Sequence, residues 1–249
     1  MYNVLVSGAC GRMGKEVISA LEASQDLKLV CGIDREENLN GVFPIYSDFS
    51  KIKEKIDIII DFSHVHLTLK VLEYAKEKHI PIVVATTGFN REQEQIIRDY
   101  SKELPIFKSA NMSYDINLMC KIVAELAPLL AGADIEITET HHRNKVDAPS
   151  GTALLLANSI NEALGNKMKY VYDRHDLSRK REDDEIGFTS IRGGNIVGEH
   201  VVQFFSPYET FEIKHTSYSR TVFAEGAIKA ALFMINKPNG LYNMNDLLK

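Results

Sequence analysis

Long apolar runs are missing from this chain. No stretch approaches the ~20 residues that a bilayer-spanning helix needs, so a helical membrane protein is not expected. Strong charge of one sign is missing too. The 29 Lys and Arg against 34 Asp and Glu leave a net charge of −5. That balance offers no general attraction for nucleic acid or an anionic membrane, and any anionic ligand must be held by local positive groups. Cysteine is scarce: Cys10, Cys31 and Cys120 are an odd number with no metal-ligand spacing. Cys10 and Cys31 lie in apolar stretches, where free cysteine behaves as a small buried hydrophobe. There is no basic stretch ahead of an apolar leader, because Val4-Leu5-Val6 follows Met1-Tyr2-Asn3 directly. A soluble cytoplasmic protein is the expectation. Internal repeats and low-complexity linkers are also absent.

What is present is ordinary globular material. The 249 residues are 45% hydrophobic and 25% charged, enough for one large domain or two modest ones. Short runs rich in Val and Ile at 3–7, 28–33, 57–62, 80–85 and 105–108 read as strands buried on both faces. Helical patterns at 12–24, 65–78 and 91–103 lie between them, the last with Asn90 as its cap. This alternation predicts right-handed βαβ units and a doubly wound parallel sheet. The pattern changes after Asn111. A long helix is expected over 114–130, an alternating strand over 134–142 and a helix over 150–164. The charged run 173–187 reads as a solvated, mobile loop. Strands at 187–192, 196–205 and 210–216, separated by turn signals, predict a mixed or antiparallel sheet. A last helix over 220–235 is expected to return to the first domain. The predicted organisation is a first domain over 1–111, completed by 220–249, and a second, smaller α+β domain over 112–219.

Gly8-Ala9-Cys10-Gly11-Arg12-Met13-Gly14 follows the first strand and opens the first helix. A pyrophosphate needs close backbone approach, bare N–H groups and a positive helix end, and Arg12 adds a cation there. Asp34 lies 20 residues beyond Gly14, at the end of the second predicted strand, where an acid can accept the ribose hydroxyls of NAD. Asp34 repels a 2′-phosphate whereas Arg35 can bind one, so both NADH and NADPH are expected as cofactors. Loops outside the carboxyl ends of the strands are the natural walls for ribose and nicotinamide. They contain Phe62, then Ala85, Thr86 and Thr87, then Ser109, Ala110, Asn111 and Met112.

Residues 138–153, TETHHRNKVDAPSGTA, carry the chemistry. In a strand, His141 and His142 point to opposite faces, so they do not share one metal, and no zinc spacing stands beside them. No metal is expected. Either histidine could be a buried structural residue. Lys145 alters that balance, since a nearby cation lowers a histidine's pKa or serves as a second anchor for a carboxylate. A histidine at a strand end suits general acid work near neutral pH. Ser150 is a good N-cap, and Gly151 with Thr152 opens a helix whose free N–H groups could seat an anion. A plain capped helix would also account for that turn.

These residues resemble the 4-hydroxy-tetrahydrodipicolinate reductase (dihydrodipicolinate reductase) family. The 138–153 segment, the Gly8–Gly14 loop, Ala85-Thr86-Thr87-Gly88-Phe89, Ala110-Asn111-Met112-Ser113 and the segment 190–198 match it in order. The resemblance covers essentially the whole chain. It implies a Rossmann-like first domain. It also implies an NADH- or NADPH-dependent reduction of a cyclic imine dicarboxylate, with loss of water, in lysine and diaminopimelate biosynthesis. By resemblance, His141 is the general acid and Lys145 assists it and holds substrate. His142, Gly151 and Thr152, with Ser150, bind the substrate carboxylates, and Arg220 matches an arginine at the domain junction. A homotetramer built through the second domain's sheet is likewise implied. The chain departs from the family pattern at Asp115, Ala85 and Val65-His66, none of which is in the 138–153 segment. A nucleotide-sensing protein without turnover has no use for His141 with Lys145, and the Asp147–Thr152 stretch argues against an amino-acid dehydrogenase.

Overall fold

The structure, a computed structural model, describes residues 1–175 and 177–249. The chain forms two compact units, one of residues 1–114 with 220–249 and one of residues 115–219. In chain order the first unit holds β1 (Tyr2–Ser7), α1 (Arg12–Glu22), β2 (Leu27–Ile33), β3 (Ile45–Tyr46), β4 (Ile58–Asp61), α2 (Val65–Lys78), β5 (Ile82–Val84), α3 (Arg91–Tyr100) and β6 (Pro105–Lys108). Then come α4 (Tyr114–Leu129), β7 (Asp134–His141), α5 (Gly151–Ala163), β8 (Lys169–Val171), β9 (Glu185–Arg192), β10 (Gly198–Phe205) and β11 (Thr210–Ser217). The chain closes with α6 (Thr221–Met234), β12 (Gly240–Tyr242) and α7 (Met244–Leu247).

The first unit is a seven-stranded sheet in the order β12-β6-β5-β4-β1-β2-β3, parallel throughout. Alternate residues of each strand enter different cores. Val4, Val6, Ile58 and Ile60 pack with Val17 and Leu21 of α1 and with Ala224, Ala227 and Ala231 of α6. Leu5, Ile59, Ile82 and Val84 pack on the other face with Val71 and Leu72 of α2 and Ile97 of α3. Covering both faces removes the polar phase from these strands, which is why they read as unbroken apolar runs. Asn90 caps α3 through a capping box with Gln93. The strand order reverses between β1 and β4, so the loops after those strands flank a topological switch point.

The second unit is a mixed five-stranded sheet, β11-β10-β7-β9-β8. β7 and β8 both run parallel to β9, and β10 runs antiparallel to β7 and β11. Ile135, Ile137, Ile186, Phe188, Val202 and Phe204 meet α4 and α5 over one face.

Three strands escaped the sequence reading: β3, β8 and β12. At two or three residues each they are too short to show a period. The run 173–187 is not simply a solvated loop. Its last residues begin β9, and Glu185 is fully buried. Arg174 and Arg179 reach Glu185, and Arg174 and Arg181 reach Glu136 on β7. Asp176 of that run lies outside the described residues. β7 ends at His141, so His142 belongs to the following turn rather than to the strand.

Candidate active site

The loop after β1 has the geometry of an anion cradle. Gly8 has φ +76°, and Gly11 N–H donates to Gly8 O at 3.0 Å. A Cβ on Gly14 would lie 2.1 Å from Gly8 O, so only glycine lets α1 start this close to the strand. Gly11 is the N-cap of α1, and among the described residues no side chain caps that end. Its first-turn amides are thus left for an incoming group. Asp34, just past β2, accepts from Cys10 N–H at 2.8 Å through Oδ2 and from Arg35 N–H at 2.7 Å through Oδ1. Arg35 Nη2 lies 2.9 Å from His64 Nε2. A cleft of about 490 Å³ opens there, lined by Asp34, Arg35, Phe49, His64, His66 and Lys70. Bare amides, glycines where a side chain would collide and a fixed carboxylate at ribose distance in sequence fit a dinucleotide.

The predicted walls are tied together by Asp61. This carboxylate is fully buried at the end of β4 and accepts from Ser63 Oγ, Thr68 Oγ1 and Thr86 Oγ1 at 2.5, 2.6 and 2.8 Å. Ala85 N–H donates to the Asp61 carbonyl at 2.9 Å, and Phe62 N–H to Ser7 O at 3.1 Å. The loops carrying Phe62 and Ala85–Thr87 are therefore fixed to one group. In the third wall, Ser109 Oγ donates to Asn111 O at 2.8 Å and Asn111 Oδ1 accepts from Ser113 N–H at 2.8 Å. Ala9 and Met112 are buried, Cys10 and Met13 half-buried, and Arg12, Thr87 and Ala110 exposed. Burial, with Asp34 and Glu36 nearby, holds the Cys10 thiol above its ordinary pKa.

In the second unit, β7 delivers Glu139 and His141 to the same buried face, two residues apart. His141 Nδ1 lies 2.5 Å from Glu139 Oε2. Arg192, at the end of β9, grips the same carboxylate with two bonds of 2.8 and 2.7 Å, and Ser150 N–H donates to it at 3.2 Å. Burial alone would raise the Glu139 pKa, but hydrogen bonds from Arg192, Ser190 and His141 hold it at about 2. His141 is held below its ordinary value, chiefly by burial and further by Lys145 and Arg192, against the pull of Glu139. Gly198 faces the other ring nitrogen; a Cβ there would sit 3.1 Å from His141 Nε2. Lys145 pairs with Asp147 at 2.8 Å, in a turn closed by Lys145 N–H donating to His142 O.

Ser150 caps α5 by accepting from Ala153 N–H at 3.1 Å. Its hydroxyl also meets His200 Nε2 at 2.9 Å. His200, nearly fully buried, packs edge-on against His141 at 5.1 Å, and burial pushes its pKa down to about 3. Gly151 is exposed and Thr152 half-buried at the start of α5.

The predicted residues thus fall into two groups. The loop residues, Asp34, Arg35 and the walls gather in the first unit, while His141, His142, Lys145 and Ser150–Thr152 gather in the second. Arg220 belongs to the first unit as the N-cap of α6. Sequence reasoning missed Glu139, Arg192 and His200. One signal was available: Glu139 occupies the apolar phase of Ile135, Ile137 and His141. Nothing in the sequence tied His200 to Ser150.

The chain matches two family profiles, "Dihydrodipicolinate reductase, N-terminus" over residues 2–112 and "Dihydrodipicolinate reductase, C-terminus" over residues 115–248. It is 44% identical over 249 residues to the 4-hydroxy-tetrahydrodipicolinate reductase of Caldanaerobacter subterraneus subsp. tengcongensis, covering 100% of this chain and 99% of the relative. The corresponding protein of Clostridium novyi is 43% identical, again over 100% and 99%. Among solved structures, a dipicolinate-bound dihydrodipicolinate reductase from Paenisporosarcina sp. TG-14 superposes with a TM-score of 0.83, at 24% identity over 98% of this chain and 99% of that one.

Proposed function

The chain belongs to the dihydrodipicolinate reductase family and is an oxidoreductase of it, and from that premise we propose that it reduces 4-hydroxy-tetrahydrodipicolinate to tetrahydrodipicolinate. The step serves lysine and diaminopimelate biosynthesis, consumes one hydride and one proton, and releases water. When bound, NADH or NADPH supplies the hydride. The first unit is the dinucleotide-binding domain. There the Gly8–Met13 loop cradles the pyrophosphate, Asp34 takes the ribose hydroxyls and Arg35 faces a 2′-phosphate. Residues 62, 85–87 and 109–112 wall the ribose and nicotinamide.

The observation that carries the chemistry is the setting of His141. One ring nitrogen is held by Glu139 and the other faces the side-chain-free Gly198. That leaves Nε2 to deliver a proton to the substrate ring. Lys145, which pairs with Asp147 at 2.8 Å, is placed to exchange that partner for a substrate carboxylate and so favours the dianion. The amides at the start of α5, with Ser150, Gly151 and Thr152, seat a carboxylate, and His142 adds a donor; Arg220 is proposed from the family resemblance alone as a further substrate-binding residue. The second unit is the substrate-binding and oligomerisation domain of a cytoplasmic homotetramer. No helix among the described residues is long and apolar enough to cross a membrane.

The test is direct. The purified protein is mixed with NADH or NADPH and the fresh condensation product of pyruvate and aspartate semialdehyde, and absorbance of the reduced nicotinamide is followed. Oxidation above background with both cofactors is expected; none with either overturns the reading. His141→Gln should lose about 10²- to 10⁴-fold in kcat while binding NADH normally.

A further inference from the structure

We propose that Glu139 and Arg192 are a buried positioning pair for His141, in which Glu139 fixes the ring nitrogen that delivers the proton and Arg192 sets how readily it is given up. The inference rests on the reading of His141 as general acid and assigns it two supporting residues.

Glu139 is fully buried on the strand that carries His141, and its Oε2 lies 2.5 Å from Nδ1. An ionised carboxylate only accepts hydrogen bonds, so Nδ1 must be the protonated nitrogen of neutral His141. The acid form then carries its second proton on Nε2, the nitrogen beside Gly198. Delivery breaks the Nε2–H bond and leaves a neutral imidazole whose Nδ1–H is still on Glu139. Proton and charge balance, and the carboxylate never takes the proton.

A bare buried carboxylate at this distance would make His141 too weak an acid. It would stabilise the imidazolium and hold the proton. Arg192 prevents this. Its two nitrogens bind both carboxylate oxygens, and Nη2 also donates to the Asp147 carbonyl at 2.6 Å. The bidentate grip turns a full negative charge into a dipole. The charges that face His141 are consistent with this: Glu139 on β7 raises its pKa, while Lys145 on the following turn and Arg192 on β9 lower it. His200 on β10 is neutral near pH 7, and Asp147 is engaged by Lys145. Glu139 also accepts from Ser150 N–H. One carboxylate thus spaces the proton donor from the turn proposed to seat the substrate.

The test is an NMR titration of histidine-labelled full-length protein, paired with pH profiles of kcat/KM. In the wild type, neutral His141 is expected as the Nδ1–H tautomer; the Nε2–H tautomer would overturn the proposal without any variant being made. Glu139→Gln should lower the His141 pKa, and Arg192→Gln, which leaves Glu139 unneutralised, should raise it. The alkaline limb of kcat/KM should move in the same two directions, and each variant should lose on the order of 10²-fold in kcat. Arg192→Lys should restore part of the Arg192→Gln shift. A merely structural pair would move both variants the same way or neither, and either result overturns the assignment. If the wild type shows the expected tautomer and opposed shifts but no turnover of the reductase substrate, the proposed function fails while the positioning pair stands.

Discussion

His200 Nε2 lies 2.9 Å from Ser150 Oγ, although fifty residues separate the two in the chain. The hydroxyl also accepts from Ala153 N–H and still has both a lone pair and a proton for the imidazole, so it serves either tautomer of His200. Ser150→Ala removes a helix cap and strands a buried ring nitrogen. We expect a loss of about 2 kcal/mol in urea unfolding, from a cap worth about 1 kcal/mol and an orphaned buried ring nitrogen worth at least as much. A loss below about 0.5 kcal/mol would show that the contact contributes nothing.

Gly14 makes a sharper test of the cofactor loop. A methyl group there would sit 2.1 Å from Gly8 O and 2.9 Å from Ala9 Cα, both backbone atoms that cannot swing aside. Gly14→Ala must push α1 away from the strand and spoil the cradle. The expected outcome is NADH binding at least ~10-fold weaker, read from nicotinamide fluorescence, in a protein that stays folded by circular dichroism. Unchanged affinity would place the dinucleotide elsewhere.

The longer strands of the first unit were legible because they are apolar runs bounded by turn residues, and the Gly8–Gly14 loop declares itself by position between strand and helix. β3 and β12 were not, since two or three residues carry no period and their pairing depends on partners far along the chain. The site divides the same way. His141, Lys145 and Ser150 stand within ten residues and advertise a function together. Arg192 and His200 reach them only through sheet pairing, β9 alongside β7 and β10 opposite it. The charged run misled because Arg and Glu look alike in sequence whether solvated or paired. Burial of Glu185 between Arg174 and Arg179 is a tertiary fact.

Arg35 is the residue proposed to read a 2′-phosphate. Asp34 is anchored by two backbone amides, but Arg35 is exposed and its outer contact is His64. Arg35→Ala should therefore lower kcat/KM with NADPH by roughly 10-fold, the worth of one charge-assisted contact, and change it with NADH by less than about 2-fold. Equal losses with both cofactors would mean that Arg35 shapes the loop rather than reading the 2′-phosphate.

Acid should destabilise the second unit in two stages. Glu139 and Glu185 have pKa values held at about 2, below the ordinary carboxylate value. Their contribution is complete above the unfolded pKa near 4.3 and is lost as pH falls from there toward 2. His200 acts earlier. Its folded pKa is pushed to about 3, so below the unfolded value near 6.5 only the unfolded chain takes up the proton. Stability should fall from about pH 6.5 downward, by up to about 1.4 kcal/mol per pH unit for one proton. His200→Phe removes that titration and keeps a ring in the space. The variant has its own offset at pH 7 from the lost Ser150 bond, so the slope is what counts. Urea unfolding at pH 7, 6 and 5 should show the wild type losing more stability over this interval than the variant. Parallel curves would mean that His200 is not kept neutral by burial.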